Sequence, residues 1–292
     1  MDIAAFLQQH RLPEAYADAA QKWFIPAAKN LHSHYKGAKR PMIVGINGCQ
    51  GSGKSTLGAF IEAYLTENHQ LNVVSLSLDD FYLASTDRQS LAVKVHPLLA
   101  TRGVPGTHNM QLALSTLDRL SNYGTVSLPR FDKANDNPMS VGDWPVVNSP
   151  CDIIILEGWC VGAPPQPDTA LQTPVNDLEQ EQDPLGIWRK FVNTQLAGKY
   201  QTLFERIDHM LMLKAPSFEQ VFTWRCEQEH KLAERIRAQG GAATAIMSDD
   251  DIWNFIQLYQ RLTEHCLACL PALSDQVLHL DNQRTVTALD QA

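Results

Sequence analysis

The sequence predicts an α/β fold: a mainly parallel five-stranded sheet with helices on both faces. Two observations predict it. Short runs rich in Ile, Val, Leu and Met recur at 42–46, 72–78, 151–156, 209–214 and 276–280, bounded by Gly, Pro or polar residues as buried strands are. Between them, apolar residues fall at helical spacing, and strands separated by helices run parallel. The composition agrees: 292 residues, 44% apolar and 19% charged, suit a large packed core and exclude a disordered chain.

Taken in order, residues 1–40 read as an N-terminal helical extension packed on the core. Ile3, Phe6, Leu7, Trp23, Phe24 and Leu31 are its apolar positions, with Pro13 and Pro26 as breaks and Pro41 as its end. Residues 41–292 form the main domain. Strand 42–46 ends in glycine, and a helix follows over 54–68. The β-branched run 72–78 is the second strand and 151–156 the third. Helical patterns occupy 110–121, 187–206, 217–239 and 249–270. Segment 163–186 stands apart, with five of the sixteen prolines, five acids and no Lys or Arg. It reads as a solvated loop after the third strand, placed to act as rim or lid of a site.

The 24 Lys and Arg against 32 Asp and Glu leave a net charge of −8. That balance excludes a protein that coats nucleic acid or an anionic membrane, because such surfaces need clustered Lys and Arg. The N-terminal residues lack a basic region followed by an apolar run, so the expected location is cytoplasmic. The six cysteines then read as thiols. Cys266 and Cys269 make a C-x-x-C within a helical pattern, where packing is a better reading than zinc.

Gly48-Cys49-Gln50-Gly51-Ser52-Gly53-Lys54-Ser55, followed by Thr56, matches G-x-x-x-x-G-K-[ST], the P-loop. Glycines let the backbone curl so that successive N–H groups face phosphate oxygens, and the helix after them adds its positive end. A strand precedes this loop and a helix follows, the context that a P-loop NTPase fold requires. Lys54 reaches the β- and γ-phosphates of ATP, and the Ser55 hydroxyl ligates Mg²⁺. Glu157 ends the apolar run 153–156, where a second carboxylate would face the metal. Asp79 and Asp80 close the second strand; alternation sends one inward, and Asp79 is the candidate base for an attacking hydroxyl. Cys49 sits inside the loop as a small filler, or as an oxidisable thiol near a helix start.

The positive charge is local. From 88 to 117 there is no acid, while Arg88, Lys94, His96, Arg102 and His108 fall there, and Arg130 and Lys133 follow. Regions 94–108 and 130–133 therefore form the expected pocket for an anionic acceptor. Asp80, Tyr82, Arg102, His108, Arg130, Asp132 and Lys133 are its candidate residues. Arg225, on the helix that also bears Lys231, Arg235 and Arg237, is the candidate for stabilising the transferring phosphoryl group. Trp253, Phe255 and Tyr259 read as helix packing.

These segments, GCQGSGKS, SLDDFY, TRGVPGTHN, LPRFDK, IILEGW and TWRCEQE, resemble the glycerate kinase-like P-loop kinases. That family comprises plant-type D-glycerate 3-kinase and its fungal and bacterial relatives, within the wider phosphoribulokinase, uridine kinase and pantothenate kinase group. The resemblance spans about 41–280. It implies ATP-dependent phosphorylation of an alcohol group, with D-glycerate as acceptor and Asp79, the first Asp of the D-x-F-Y element, as base. Three departures from the pattern stand out: Asn109 stands where relatives carry Asp, Trp144 where they carry Arg, and the segment Ile246-Met247-Ser248-Asp249 matches only in part. Two competing functions are a kinase of a pantothenate- or uridine-like acceptor and a nucleotide-binding regulator without kinase activity. A GTPase-like switch would need an N-K-x-D element, which the sequence lacks.

Overall fold

Six strands form the central sheet of the computed structural model, which describes residues 1–35, 40–238 and 247–291. Ile246 and the side chains of Arg235 and Arg237, singled out above, lie outside the described residues. The strands are β1 (Met42–Gly48), β2 (Val73–Ser77), β3 (Ile153–Gly158), β4 (His209–Lys214), β5 (Gln276–Leu280) and β6 (Val286–Gln291). Their order is β6-β5-β4-β1-β3-β2. β1 to β5 are mutually parallel, as the alternation of apolar runs and helices dictates. β6 was not expected: it pairs antiparallel with β5 across a turn in which Asp281 accepts bonds from the Gln283 and Thr285 amides. It is an edge strand, exposed over most of its length, so it carries almost no hydrophobic pattern to read.

Period-two alternation splits the sheet's side chains between two cores. Ile154, Leu156, Met210 and Met212 face one side; Val44, Ile46, Ile155 and Leu211 face the other. Helices Met110–Leu120, Ile187–Gln195 and Asp249–Cys269 cover the first face. Helix Lys54–His69 covers the second through Leu57, Phe60 and Ile61, together with the N-terminal helices. Ile155 is wholly buried between strands, and burial of one such side chain contributes about 1.5–3 kcal/mol. An acid there would strand a charge with no partner.

Helices Ile3–His10 and Ala15–Ala19 and the run to Tyr35 dock on helix Lys54–His69, with Phe6 edge-on to Phe60 at 5.4 Å. Pro26 does not break this run. A π-helical turn over Ala20–Phe24 precedes it, closed by the Ile25 amide donating to Ala20 O.

Segment 163–186 is only partly solvated. It contains a 3₁₀ turn, Asp168–Leu171, and a helix, Asp177–Gln182. Two of its acids are buried against arginines: Glu179 takes two bonds from Arg261, at 2.7 and 2.6 Å, and Asp183 pairs with Arg189 at 3.0 Å. Arg261 lies 82 positions from Glu179, so sequence proximity gave no sign of that pair, whereas Arg189 is only six residues from Asp183 on the next helix. All six cysteines are free thiols, and Cys266 and Cys269 sit on helix Asp249–Cys269, the first turned into the core. Among the described residues, no helix is long and apolar enough to cross a membrane.

Candidate active site

The site forms where the parallel strands end. Glu157 lies opposite Ile46 of β1 and Ser77 of β2, so the loops leaving β1 and β2 emerge beside it. After β1, Gly51 takes φ +80°, and a Cβ there would press on Trp224 at 3.0 Å. The backbone turns at Gly53, which caps helix Lys54–His69 with no side-chain bond, leaving first-turn amides open to an anion. Ser55 donates to Glu157 Oε1 at 2.8 Å, and Lys54 Nζ stands 3.9 Å from Oε2. Glu157 is 4% exposed, yet its Oε2 has no hydrogen-bond partner. A buried carboxylate oxygen left open beside a serine hydroxyl fits a hard divalent cation such as Mg²⁺. Gln50 Oε1 and Ser52 Oγ in the same loop are also buried without partners.

After β2 the chain makes a 3₁₀ turn, Leu78–Phe81, so turn geometry and not strand alternation separates the two aspartates. Asp79 accepts from the Tyr82 hydroxyl at 2.9 Å and from Lys133 Nζ at 2.6 Å. Burial alone would raise its carboxyl, but Lys133 and Lys54 outweigh that and hold it down to about 2. Asp80 turns away to Arg130, at 3.2 Å, and to the Phe131 amide; there burial wins and the carboxyl is raised.

Lys54, Asp79, Tyr82, Arg102, Lys133 and Arg225 meet around one cavity of about 330 Å³, with Gln50 and Gly51 at its P-loop side. Trp159, Gln228, Phe255 and Tyr259 complete its wall. Phe255 and Tyr259 therefore do more than pack helices. The Tyr259 hydroxyl donates to Arg102 O at 3.0 Å and Trp159 Nε1 donates to Gly103 O at 3.1 Å, which pins the loop bearing Arg102. Gly103, at φ +143°, has no room for a Cβ against that hydroxyl. Arg225 pairs with Glu229 one helical turn on, at 2.7 Å.

Other candidates fall outside the cavity wall. Arg130 is held by Asp80, and Asp132 caps its own turn through the Ala134 and Asn135 amides. His108 is buried, stacked on Tyr82 at 4.4 Å, with Nδ1 hydrogen-bonded to the Tyr200 hydroxyl at 2.6 Å. Burial pushes its imidazole down to about 4. The acid-free stretch is not one patch. Arg88 is buried against Asp136 and three backbone carbonyls, His96 meets Gln182 O, and Lys94 points to solvent. Asp136, from outside the stretch, neutralises both Arg88 and Arg102. Cys49 is buried, and its thiol is pushed up to about 12, the opposite of a reactive thiol.

No family model matches the chain. "Uncharacterized kinase mug58" of Schizosaccharomyces pombe is 34% identical over 243 residues, 79% of this chain and 83% of that protein. "Probable ATP-dependent kinase TDA10" of Saccharomyces cerevisiae is 31% identical over 241 residues, 76% and 77% of the two chains. The chain belongs to the glycerate kinase-like family of P-loop kinases. Chloroplastic D-glycerate 3-kinase of Arabidopsis thaliana is 29% identical over 229 residues, 75% of this kinase but 46% of that longer protein. A solved D-glycerate 3-kinase from Cryptococcus neoformans shares the kinase's fold at a TM-score of 0.76 and 23% identity, over 93% of this chain and 99% of that one. The kinase is thus an ATP-dependent phosphotransferase that acts on an alcohol group of a small molecule. Two departures from the family pattern have local explanations. Asn109 accepts from the Leu112 amide at 3.0 Å and caps helix Met110–Leu120, a task either Asn or Asp performs. Trp144 donates to Met139 O at 3.0 Å across a surface turn.

Proposed function

We propose that this kinase transfers the γ-phosphoryl group of ATP to a hydroxyl of a small hydroxy acid, D-glycerate being the acceptor favoured by its named relatives. One observation carries the reading. The cavity that holds the P-loop lysine is lined by four cations, Lys54, Arg102, Lys133 and Arg225, and by a single carboxylate, Asp79. Such a wall suits two anions, a polyphosphate and an acceptor carboxylate.

The backbone and side chains of Gly48 to Thr56 cradle the phosphates, with Lys54 reaching the transferred group. Ser55 and Glu157 would hold Mg²⁺, which when bound neutralises phosphate charge. Asp79 Oδ2 takes the proton from the acceptor hydroxyl as its oxygen bonds to the γ-phosphorus. The bond from that phosphorus to the β-phosphate bridging oxygen breaks, and ADP leaves. Arg225 stabilises the charge on the phosphoryl group in transit. Arg102 and Lys133 orient the acceptor's carboxylate. Arg130 and Asp80 act from behind, anchoring the turn that carries Lys133.

A coupled assay of ADP formation with D-glycerate, glycolate, pantothenate and uridine tests the reading. D-glycerate should drive ADP release far above the rate without acceptor. Turnover of uridine or pantothenate with none for glycerate would rule out the hydroxy acid. ADP release indifferent to every acceptor would favour a nucleotide-binding regulator.

A further inference from the structure

We propose that Lys133 is an acceptor-operated block on Asp79: an anionic group on the acceptor draws the ammonium off Oδ2, and a neutral alcohol cannot. The inference rests on the proposed function and deepens it by naming what excludes neutral acceptors.

Both oxygens of Asp79 are occupied before any substrate arrives. Tyr82 bonds to Oδ1 and Lys133 to Oδ2. Each oxygen keeps a second lone pair, so a hydroxyl can still bond to it, but the oxygen takes a proton readily only once one of these donors withdraws. Tyr82 cannot leave, because it is 6% exposed and its ring is held between His108, at 4.4 Å, and Phe131, at 5.3 Å. Lys133 can: its side chain is 60% exposed, on a surface turn, with a flexible four-carbon stem. Oδ2 is therefore the oxygen that becomes free.

The other cations of the cavity are also paired, Lys54 with Glu157, Arg102 with Asp136 and Arg225 with Glu229. Those three carboxylates lie outside the cavity wall. Lys133 alone among the four cations takes its counterion from within it, and that counterion is the base. A second carboxylate entering the cavity competes for Lys133 on equal chemical terms, whereas a hydroxyl does not. The exchange also restores basicity, since Lys133 and Lys54 are what depress the Asp79 carboxyl against the pull of burial. Lys133 remains an ammonium throughout; the only proton that moves is the acceptor's, to Oδ2.

The test compares wild type, Lys133→Met and Lys133→Arg by ADP formation with D-glycerate, with glycerol and with no acceptor. Glycerol keeps the hydroxyls and lacks the carboxylate. For Lys133→Met the expected result is a fall in kcat/KM for glycerate of about 100-fold. ADP formation with glycerol or water should rise about 10-fold as the base is unblocked. Lys133→Arg keeps the charge and should retain the preference for glycerate. A lysine that only binds the carboxylate would lower the glycerate rate and leave the other two unchanged, and that result overturns the proposal. The glycerol and water arms read the block whatever the true acceptor is. A rise there in the Met variant, with no glycerate turnover in wild type, would therefore keep the block and discard the glycerate reading.

Discussion

Ser55 and Glu157 lie 102 positions apart in the chain and are joined by a 2.8 Å hydrogen bond from the serine hydroxyl to Oε1. The bond ties the first turn of the P-loop helix to the end of β3. It also leaves Glu157 Oε2 open in a buried setting.

Replacing Glu157 by Gln keeps an acceptor for Ser55 and removes the charge. The Mg²⁺ concentration for half-maximal activity should rise about 10- to 100-fold. ATP binding measured without metal should be nearly unchanged. A magnesium titration of initial rates checks this; an unchanged metal requirement would count against Glu157 as a ligand.

Asp79→Asn keeps the bond from Tyr82 and cannot take a proton. Turnover should fall by about 10²- to 10⁴-fold while nucleotide affinity stays close to wild type. Steady-state kinetics with a fluorescent nucleotide titration separates the two. An Asn variant of near-normal kcat would remove Asp79 from the mechanism.

Arg261→Met would leave Glu179 charged and buried, because both its oxygens are bonded by that guanidinium. Stability should fall by about 3–5 kcal/mol, read from urea unfolding. Adding Glu179→Gln to the same chain should recover part of the loss, since the stranded charge is then gone.

His108 gives a pH signature. Burial holds its folded-state pKa at about 4, below the ordinary 6.5, so the unfolded chain binds the extra proton first. Its contribution is fully present above pH 6.5 and is lost as pH falls from 6.5 toward 4. The loss amounts to about 3 kcal/mol from this residue. His209 and His265 are shifted the same way, so the wild-type slope between pH 7 and 5 should be compared with that of His108→Asn. Equal slopes would show that His108 is not buried as a neutral ring.

Legibility in the sequence followed locality. β1, β3 and β4 were readable because each is buried on both faces and almost wholly apolar, and β2 and β5 because Val and Leu dominate them despite Ser75, Ser77 and His279. The P-loop was readable because phosphate binding there is done by a contiguous backbone with fixed glycine spacing. Asp79 and Glu157 were readable as carboxylates at strand ends. β6 was not, since an edge strand needs no apolar pattern. Nor was the role of Tyr259, whose hydroxyl meets a carbonyl 157 residues away.

By itself, then, the sequence determined a parallel α/β sheet, a phosphate loop on its first strand, and two acids at the ends of neighbouring strands. These follow from short-range patterns of burial and backbone freedom. The tertiary structure decided which charges face the cavity. Arg88 and His96 were drawn into the scaffold, and Asp136, Asp80 and Glu229 paired with Arg102, Arg130 and Arg225. Lys133 came to rest on Asp79. Charge acts through space over a few ångströms and is blind to position in the chain, so only the folded molecule could show that the one counterion inside the cavity is Asp79, the proposed base.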